Sequence, residues 1–420
     1  MTNVFVKFVI FLMFFLQSQK GICQWQTIYQ DSNIYNMGVH FLNADTGFVV
    51  GVTWNSTFVQ EGIIFRTTNG GVSWDSVFTN SGNFMIEFPS EAIGYTGGHD
   101  GSVMKTTDMG DSWTIMPSWC CNDYSNGYFF NNDTGIVVLW GGEIYKTMNG
   151  SNSWAYDTSI GGDSPFPGTG SIQFLDDTVG IIAAGFNGIY SRTIDGGANW
   201  QSGTIDSAMF LNAIYMKNYL EGYAVGYNGK YSRTFDGGAT WSAPVSLCAY
   251  TLHDMTFFND SIGYIVGGNE PSMSTIGIPN GVILRTQNGG NSWTVIDSSY
   301  FGYLTSIQAV NDSVGYAAGG EGLILKITNA NILSSIETHH EEMQLNIFPN
   351  PVQDELTVYS SNSNNNVELK ILNLLGEEIS RGIFNLPAKL NLKSLKNGFY
   401  FIQMIDENGA ILSRKFIKQY

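Results

Sequence analysis

Short runs of alternating apolar and polar residues, separated by glycine-rich turns, recur along residues 24–330. Between Phe84 and Ser118 four such runs follow one another: "FMIEF", "AIGYTGG", "GSVMKTT" and "SWTIMPS". A period of two, aromatic and β-branched residues and glycine turns predict strands rather than helices. No stretch of helical period is long enough to form a crossover helix. The pattern therefore predicts an all-β chain.

The four-strand pattern repeats seven times, and each unit carries the phrase apolar, polar turn, Gly-aromatic-apolar-apolar-Gly. The first glycines of the phrase are Gly47, Gly94, Gly135, Gly180, Gly222, Gly263 and Gly315, at spacings of 41 to 52 residues. This period predicts a seven-bladed β-propeller. The seventh unit lacks its outer strand, and we expect "QWQTIYQ" at Gln24–Gln30 to supply it, with Trp25 in the place of a repeat tryptophan. Such a joint removes an open sheet edge.

A nine-residue box, "RTFDGGATW" at Arg233–Trp241, ends the third strand of each unit and begins the fourth. Its Thr and its Asp or Asn are expected to accept backbone N–H bonds in the turn, its glycines to adopt positive φ, and its Trp to fill the space between blades. The predicted structural residues are Thr67, Asn69, Trp74, Thr106, Asp108, Trp113, Thr193, Asp195, Trp200, Thr234, Asp236, Trp241, Thr286, Asn288 and Trp293. A further copy ends at Trp154, and a worn copy begins at Lys326.

The box resembles the Asp-box of bacterial sialidases and related propellers, which implies a structural role remote from chemistry. Met109, Ser151 and Asn199 depart from the pattern. A sugar or metal site is the alternative interpretation, but an active site is rarely built in six copies. The units Gly94–Trp113 and Gly222–Trp241 also resemble the photosystem II assembly and stability factor family. That resemblance implies a seven-bladed propeller with a protein-binding habit.

Both ends of the chain indicate export. Lys7 and the apolar run Phe8–Leu16 predict a secretory signal peptide at residues 1–23, too short to span a membrane, so no transmembrane anchor is expected. A lipoprotein interpretation of Cys23 is weaker, because Ile22 stands where a small residue is expected.

Residues 331–343 form a predicted linker, and residues 344–420 alternate as a small β-sandwich of roughly seven strands. The tail closely resembles the C-terminal sorting domain of the type IX secretion system of Bacteroidetes, through Pro349, Asn350, Pro351 and the glycine of "LKNGFYFIQM", Gly398. The resemblance implies passage through the type IX machinery to the outer surface or the medium. An adhesive module is the alternative.

Charge and cysteine content narrow the range of functions. The net charge is −17, and seven of the nine basic residues between Asp31 and Glu337 open a box or its worn copy. Nucleic acid is therefore an unsuitable partner, because its binding needs a basic stripe. Cys120, Cys121 and Cys248 are too few for a disulfide framework; a bond between the neighbours, a bond from one of them to Cys248, and free thiols all stay open. No metal-ligand spacing is present, so no metal or other cofactor is predicted.

Long insertions distinguish the two faces of the predicted propeller. They are Thr53–Glu61, Pro117–Ser125, Tyr156–Thr169, Ser242–His253 and Gly268–Asn280, and all fall opposite the boxes. Loops on a rigid scaffold are where binding concentrates. The spare tryptophans Trp54, Trp119 and Trp140 lie on or beside this face, where they either stack on a partner or pack beneath their own loops.

Carboxylates on the same face allow a second hypothesis. They are Asp100, Asp123, Glu143, Asp163, Glu270 and Glu321. A glycosidase needs two carboxyl groups a few ångströms apart, and the sequence does not show that any pair converges. No catalytic residue is assigned. The predicted function is a non-catalytic binding module for protein or glycan, with Trp54, Trp119, Trp140, Asp100, Glu143 and Glu270 as candidate ligand contacts; a polysaccharide hydrolase and a structural spacer are the alternatives.

Overall fold

The computed structural model describes residues 25–54, 60–117, 123–160, 170–183, 186–207, 209–269, 280–300, 302–328, 330, 345–360, 366–374, 376–405 and 411–419. Their regular structure is almost entirely β, with three short 3₁₀ turns at His99–Gly101, Phe186–Gly188 and Tyr227–Gly229. The all-β prediction is confirmed. The predicted signal peptide and linker lie outside these residues. None of the helical segments among them is long and apolar enough to cross a bilayer.

The N-terminal domain contains 28 strands within the described residues. In chain order they are β1 (Gln26–Tyr29), β2 (Ile34–Phe41), β3 (Gly47–Trp54), β4 (Gln60–Thr67), β5 (Asp75–Thr79), β6 (Asn83–Glu87), β7 (Gly94–Gly98), β8 (Val103–Thr106), β9 (Thr114–Ile115), β10 (Tyr124–Phe129), β11 (Gly135–Leu139), β12 (Glu143–Thr147), β13 (Ala155–Ser159), β14 (Ile172–Phe174), β15 (Gly180–Ala183), β16 (Ile189–Thr193), β17 (Gln201–Thr204), β18 (Leu211–Met216), β19 (Gly222–Gly226), β20 (Lys230–Thr234), β21 (Val245–Ser246), β22 (Leu252–Phe257), β23 (Gly263–Gly268), β24 (Gly281–Thr286), β25 (Thr294–Tyr300), β26 (Leu304–Ala309), β27 (Gly315–Gly319) and β28 (Ile324–Ile327).

These strands pair as seven four-stranded antiparallel sheets: β2 to β5, β6 to β9, β10 to β13, β14 to β17, β18 to β21, β22 to β25, and β26 to β28 together with β1. The innermost strands contact one another in a closed ring, β2–β6–β10–β14–β18–β22–β26 and back to β2. This arrangement is a β-propeller. Its closure follows the prediction: β1 pairs with β28, Gln26 stands opposite Lys326, and Trp25 is 4% exposed against the ring of Tyr264.

The nine-residue box forms the same hydrogen bonds in six copies among the described residues. In one copy the Thr234 hydroxyl accepts the Gly238 N–H at 2.9 Å and donates to Asp236 Oδ1 at 2.8 Å. Asp236 Oδ1 in turn accepts the Thr240 N–H at 2.8 Å. The equivalent three bonds are present in the other five copies. The turn is therefore closed by its own polar side chains.

Hydrogen bonds between turns define two faces of the propeller. Each box turn bonds to the first turn of its own blade, as in Gly70 N–H to Asp45 O at 2.8 Å; we call this side the box face. On the opposite side the second-to-third strand turns bond to the blade-to-blade links, as in His99 N–H to Gly82 O at 3.0 Å; we call it the loop face. The predicted division of the connections between two faces is confirmed.

The C-terminal domain is a sandwich of two antiparallel sheets. Its strands are β29 (Leu345–Phe348), β30 (Glu355–Ser360), β31 (Asn366–Leu372), β32 (Glu378–Asn385), β33 (Ala388–Asn391), β34 (Gly398–Ile405) and β35 (Ile411–Lys418). One sheet has the order β29–β30–β33 and the other β32–β31–β34–β35. Val358, Leu369 and Phe416 are buried between them. Asn350 fastens the turn after β29 to the last strand, because its side chain accepts the Ile417 N–H and donates to Lys415 O.

The sandwich contacts the propeller on the box face. Leu372 and Phe401 form a buried cluster with Leu220, which lies in the first turn of the fifth blade. Gln403 donates a hydrogen bond to the carbonyl of Phe235 in the box turn of the same blade. In this arrangement the loop face is on the side away from these contacts.

Candidate functional site

Most innermost strands bulge near the loop face. The register shifts in β2, β6, β10, β18, β22 and β26, and the extra residues are Met37, Phe84, Ser125, Asn212, His253 and Thr305. A bulge turns side chains away from the regular alternation of a strand. Here it directs side chains of the innermost strands toward the axis of the propeller.

The axis holds a cavity of about 910 Å³, which we call the central channel. Its walls run from Tyr227 and Asn269, on loop-face turns, to His40 and Glu87, near the ends of their strands toward the box face. This volume is within the range of small-molecule and peptide side-chain sites.

Aromatic side chains surround the loop-face part of the central channel. Tyr35, Phe84, Tyr227 and Tyr303 line it. Tyr227 is 41% exposed, and its ring centroid lies 5.0 Å from that of Phe210. Exposed aromatic rings on rigid turns provide binding surface at a small cost in side-chain entropy.

Deeper in the channel lies a pair of titratable groups, Glu87 and His40. Glu87 Oε2 is 3.7 Å from His40 Nδ1, beyond hydrogen-bond distance. The Glu87 side chain lines the channel and is 32% exposed, and its partial burial raises its pKa to about 8. Burial lowers the pKa of His40 to about 4. At neutral pH both groups are therefore predominantly uncharged.

A second titratable pair, His253 and Asp254, lines the same channel. Burial raises the pKa of Asp254 to about 6, although its carboxylate accepts the N–H groups of Met255 at 2.8 Å and Ile307 at 2.9 Å. Because Ile307 belongs to the next blade, Asp254 joins two blades. Burial lowers the pKa of His253 to about 4, and its Nε2 lies 3.2 Å from Gly268 O.

A polar cluster lies on the loop face where the second and third blades meet. Asp123 Oδ1 accepts the Asp100 N–H at 2.9 Å, and the carbonyl of Asp123 accepts the Trp140 N–H at 3.0 Å. His99 Nδ1 lies 2.8 Å from Asp123 Oδ1, and the His99 ring centroid is 5.7 Å from that of Phe84. The cluster is thus joined to the channel wall through Phe84.

His99, Asp100 and Asp123 offer three ligand atoms within 4.8 Å of one another. Imidazole and carboxylate groups at this separation are chemically able to hold a divalent cation. The close His99–Asp123 approach is equally that of an ordinary histidine–carboxylate contact. The turn itself is not special, since Asn187, Asn228 and Glu321 hold the same positive φ as Asp100 in other blades.

The structure places some of the predicted ligand residues on the loop face. Asp100 is 84% exposed there, Trp140 is half-buried at the β11–β12 turn, and Glu143 is half-buried at the start of β12. Trp119 and Glu270, with Asp163 and the thiols of Cys120 and Cys121, lie outside the described residues, as does the Trp54 side chain. Cys248 has a free thiol.

Sequence reasoning missed the channel. It singled out none of its mouth aromatics, Tyr35, Phe84, Tyr227 and Tyr303, nor the His40–Glu87 pair. One signal was available: in every repeat a polar residue directly precedes an apolar residue at or just after the end of the innermost strand, as in His40–Phe41 and Glu87–Phe88. That position recurs in every repeat on the innermost strand, and three of its residues, His40, Glu87 and Gln308, line the channel.

Residues 346–419 match a protein family described as "Secretion system C-terminal sorting domain". The C-terminal domain is a secretion sorting domain. The match indicates export by the type IX secretion system, with the sorting domain as the part that meets the machinery, so the protein is secreted or attached to the outer surface. No curated protein matches the chain significantly.

Solved structures similar to the chain are propellers of diverse function. A structure described as "YCF48 bound to D1 peptide" is 17% identical with a TM-score of 0.59, over 73% of this chain and 95% of that one. YCF48 from Cyanidioschyzon merolae is 16% identical with a TM-score of 0.58, over 73% and 99%. The GH74 xyloglucanase from Xanthomonas campestris is 8% identical with a TM-score of 0.56, over 81% and 60%. At these identities the likeness shows the fold alone.

Proposed function

We propose that this exported propeller is a non-catalytic binding module that takes an extracellular protein or glycan at the loop face, over the mouth of the central channel. The observation that carries the proposal is the channel itself, a cavity of about 910 Å³ with Tyr35, Phe84, Tyr227 and Tyr303 in its wall. The wall combines these rings with polar side chains such as Asn126, Asn212 and Gln308, and ligand sites typically combine apolar and aromatic walls with placed polar groups.

The position of the sorting domain supports the choice of face. It contacts the box face through Phe401 and Gln403, so a ligand on the loop face does not compete with export. One similar propeller, YCF48, has been solved bound to a peptide. This similar protein supports the protein branch of the proposal.

A polysaccharide hydrolase is the second candidate, because the structure brings Asp100 and Asp123 within 4.8 Å on the loop face. Two carboxyl groups near this separation are typical of retaining glycosidases. Against it, one oxygen of Asp123 already accepts the Asp100 N–H, and the side chain is only 10% exposed. A reducing-sugar assay with Asp123→Asn as the inactive control separates the two: release of sugar that the variant loses supports the hydrolase.

The test of binding uses the mature protein on a glycan array and on immobilised outer-surface proteins of the same cell. We expect the double variant Tyr227→Ala with Tyr303→Ala to lose the signal by about tenfold or more. Phe78→Ala with Tyr156→Ala is the matched control, because these rings are 62% and 59% exposed on outermost strands. Equal loss in both variants, or in neither, contradicts the proposed site. Absence of any partner supports the structural-spacer alternative.

A further inference from the structure

One position in the propeller is polar in all seven blades: the residue of the innermost strand that pairs with the second residue of the next strand. It is held by His40 and Glu87 in the first two blades. The other five are Tyr128, Gln173, Tyr215, Thr256 and Gln308. We call these seven residues the polar ring.

Three of the seven polar-ring residues hydrogen-bond to the next blade, and the rings of Tyr128 and Tyr215 stack on Phe174 and Phe257 of the next blade. Gln308 accepts the Phe41 N–H and donates to Phe41 O, and Gln173 makes the same two bonds to Met216. Thr256 accepts the N–H of Ala309 at 3.4 Å. These side chains satisfy backbone groups of the next blade, and their polarity is explained by the fold.

His40 and Glu87 differ from the two glutamines and Thr256. Within the described part of the chain neither makes a hydrogen bond to the next blade, and the only polar contact of the Glu87 carboxyl is His40 Nδ1 at 3.7 Å. Both side chains line the central channel. A carboxyl group held in a cavity without a hydrogen-bond partner is unfavourable for folding, which is the pattern expected of a group retained for a ligand.

The charge of the channel wall defines that ligand. Among the described lining residues the acidic ones are Glu87 and Asp254, and neither Lys nor Arg is present. Asp254 is occupied by two backbone N–H groups, so Glu87 is the acid left without a partner. An anionic ligand would meet no cation here, whereas an ammonium group would meet a carboxylate and, nearer the loop face, the rings of Tyr227 and Tyr303.

We propose that the central channel binds an organic cation with a primary ammonium group through the Glu87 carboxylate beside His40. The inference rests on the proposed binding function and names its ligand chemistry. Two sources share this chemistry, a free polyamine and a lysine side chain of a polypeptide. A neutral glycan lacks it.

Proton release is the signature of this site. The titratable groups facing Glu87 are His40 on β2, Tyr95 on β7 and Tyr128 on β10, with Asp254 across the channel. The tyrosines stay neutral, since burial raises the pKa of each above 10. Glu87 is mostly protonated at pH 7, so an ammonium ligand displaces its proton. Affinity then rises by about tenfold per pH unit up to about pH 8 and levels off above it.

The experiment is calorimetric titration of the whole mature protein at pH 7 in phosphate and in Tris, whose ionisation enthalpies differ. The probes are spermidine and the peptide Ac-Gly-Gly-Lys-Gly-Gly-amide, with the norleucine peptide as the uncharged comparison. We expect at least one cationic probe to bind with release of about one proton, and Glu87→Gln to weaken it by about 10- to 100-fold. Binding of spermidine alone indicates a free polyamine as the ligand, and binding of the lysine peptide alone indicates a lysine side chain of a polypeptide.

Asp260→Asn is the matched control, because it removes one carboxylate that is 98% exposed on the box face. Glu87→Gln mimics the protonated side chain and is expected to fold, which thermal melting checks; Glu87→Asp gives a second variant that keeps the charge. Failure of both cations to bind, equal loss in Asp260→Asn, or binding without proton release overturns the inference. If the Tyr227 and Tyr303 variant still loses a partner in that case, the proposed function stands and only its ligand chemistry is wrong.

Discussion

On the box face the same nine-residue turn recurs six times with the same three hydrogen bonds. On the loop face a left-handed turn conformation recurs in four blades, at Asp100, Asn187, Asn228 and Glu321, but its side chains differ from blade to blade. A turn that must close every blade is under the same constraint in each copy. A binding surface has no reason to be repeated, because a ligand meets only some of the blades. Repetition in this molecule therefore marks the scaffold, and departure from repetition marks candidate function.

The same contrast applies inside the channel. Gln173 and Gln308 of the polar ring satisfy the next blade in the same way, and they are explained by packing. Among the described residues, His40, Glu87 and Tyr128 occupy the same position without that bond, and Tyr128 instead stacks on Phe174 of the next blade. Glu87 therefore differs from the equivalent residues of other blades by its contacts, as well as by its raised pKa.

The largest expected effect tests the structural role of the box. The Trp293 ring stands 6.0 Å from Tyr231 of the preceding blade and 5.9 Å from Phe257 of its own. We expect Trp293→Ala to lower the free energy of unfolding by about 3 kcal/mol, because it leaves a cavity between two blades. Tyr227→Ala on the loop face is the comparison and should change it by less than about 0.5 kcal/mol. Chemical denaturation measures both free energies of unfolding. Similar losses in the two variants would show that the loop face contributes to stability as much as the box face does.

The sequence predicted the scaffold well because the scaffold is periodic. Each unit carries its own strands, turn residues and tryptophan. A pattern that is ambiguous in one unit is therefore supported by the same pattern in the others. The closure by Trp25 followed from the same logic, since the seventh unit lacked one tryptophan and the N-terminus supplied it. The two faces could be assigned because consecutive turns of an antiparallel sheet alternate between its ends.

The candidate site was harder to predict because it is made by bulges and by distant residues. His253 follows Glu87 by more than 160 residues, yet both line one cavity. Which side of an innermost strand faces the axis depends on the register shift near Asn83 or Leu252, and a one-residue shift reverses the orientation. The positions of the tryptophans do not predict the mouth, because the rings there belong to Tyr227, in a turn, and Tyr303, directly before β26.

A smaller effect, in pH dependence, contrasts the channel with the box face. The Glu87 pKa is raised from 4.5 to about 8, so its ionisation disfavours the folded state; stability falls as pH rises from about 4.5 to 8 and is constant above that. Asp108, in a box, has its pKa lowered to about 2 by hydrogen bonds from Ser112 and Thr106. The contribution of Asp108 to stability therefore has the opposite sign. It is fully present above about pH 3.8 and is lost as the pH falls through about 2.

We therefore expect Glu87→Gln to raise the free energy of unfolding at pH 9 by about 1–2 kcal/mol, a value reduced for screening by water in the channel, and to leave it unchanged at pH 4. Asp108→Asn should instead destabilise at pH 7 and have no effect near pH 2. Thermal melting across this range measures both. If the melting temperature of Glu87→Gln changed with pH in parallel with that of the wild type, the Glu87 carboxyl would have an ordinary pKa. The expected pH dependence of the channel site would then be wrong.

The smallest expected effect tests whether every box needs glycine at the first position after its Asp or Asn. Met109 stands at φ 57°, where other copies have glycine, for example Gly237 at φ 72°. The left-handed region costs a residue with a side chain about 1–2 kcal/mol, but glycine also gains freedom in the unfolded chain. These terms nearly cancel, so Met109→Gly should stabilise by only about 0.5 kcal/mol. Gly237→Ala is the reverse change and should cost more, because a Cβ there would lie 2.7 Å from the carbonyl oxygen of Tyr219. Denaturant midpoints resolve the pair. A loss on introducing glycine at Met109 would mean that this copy has adapted to its side chain, and the box would then vary by blade as the loop face does.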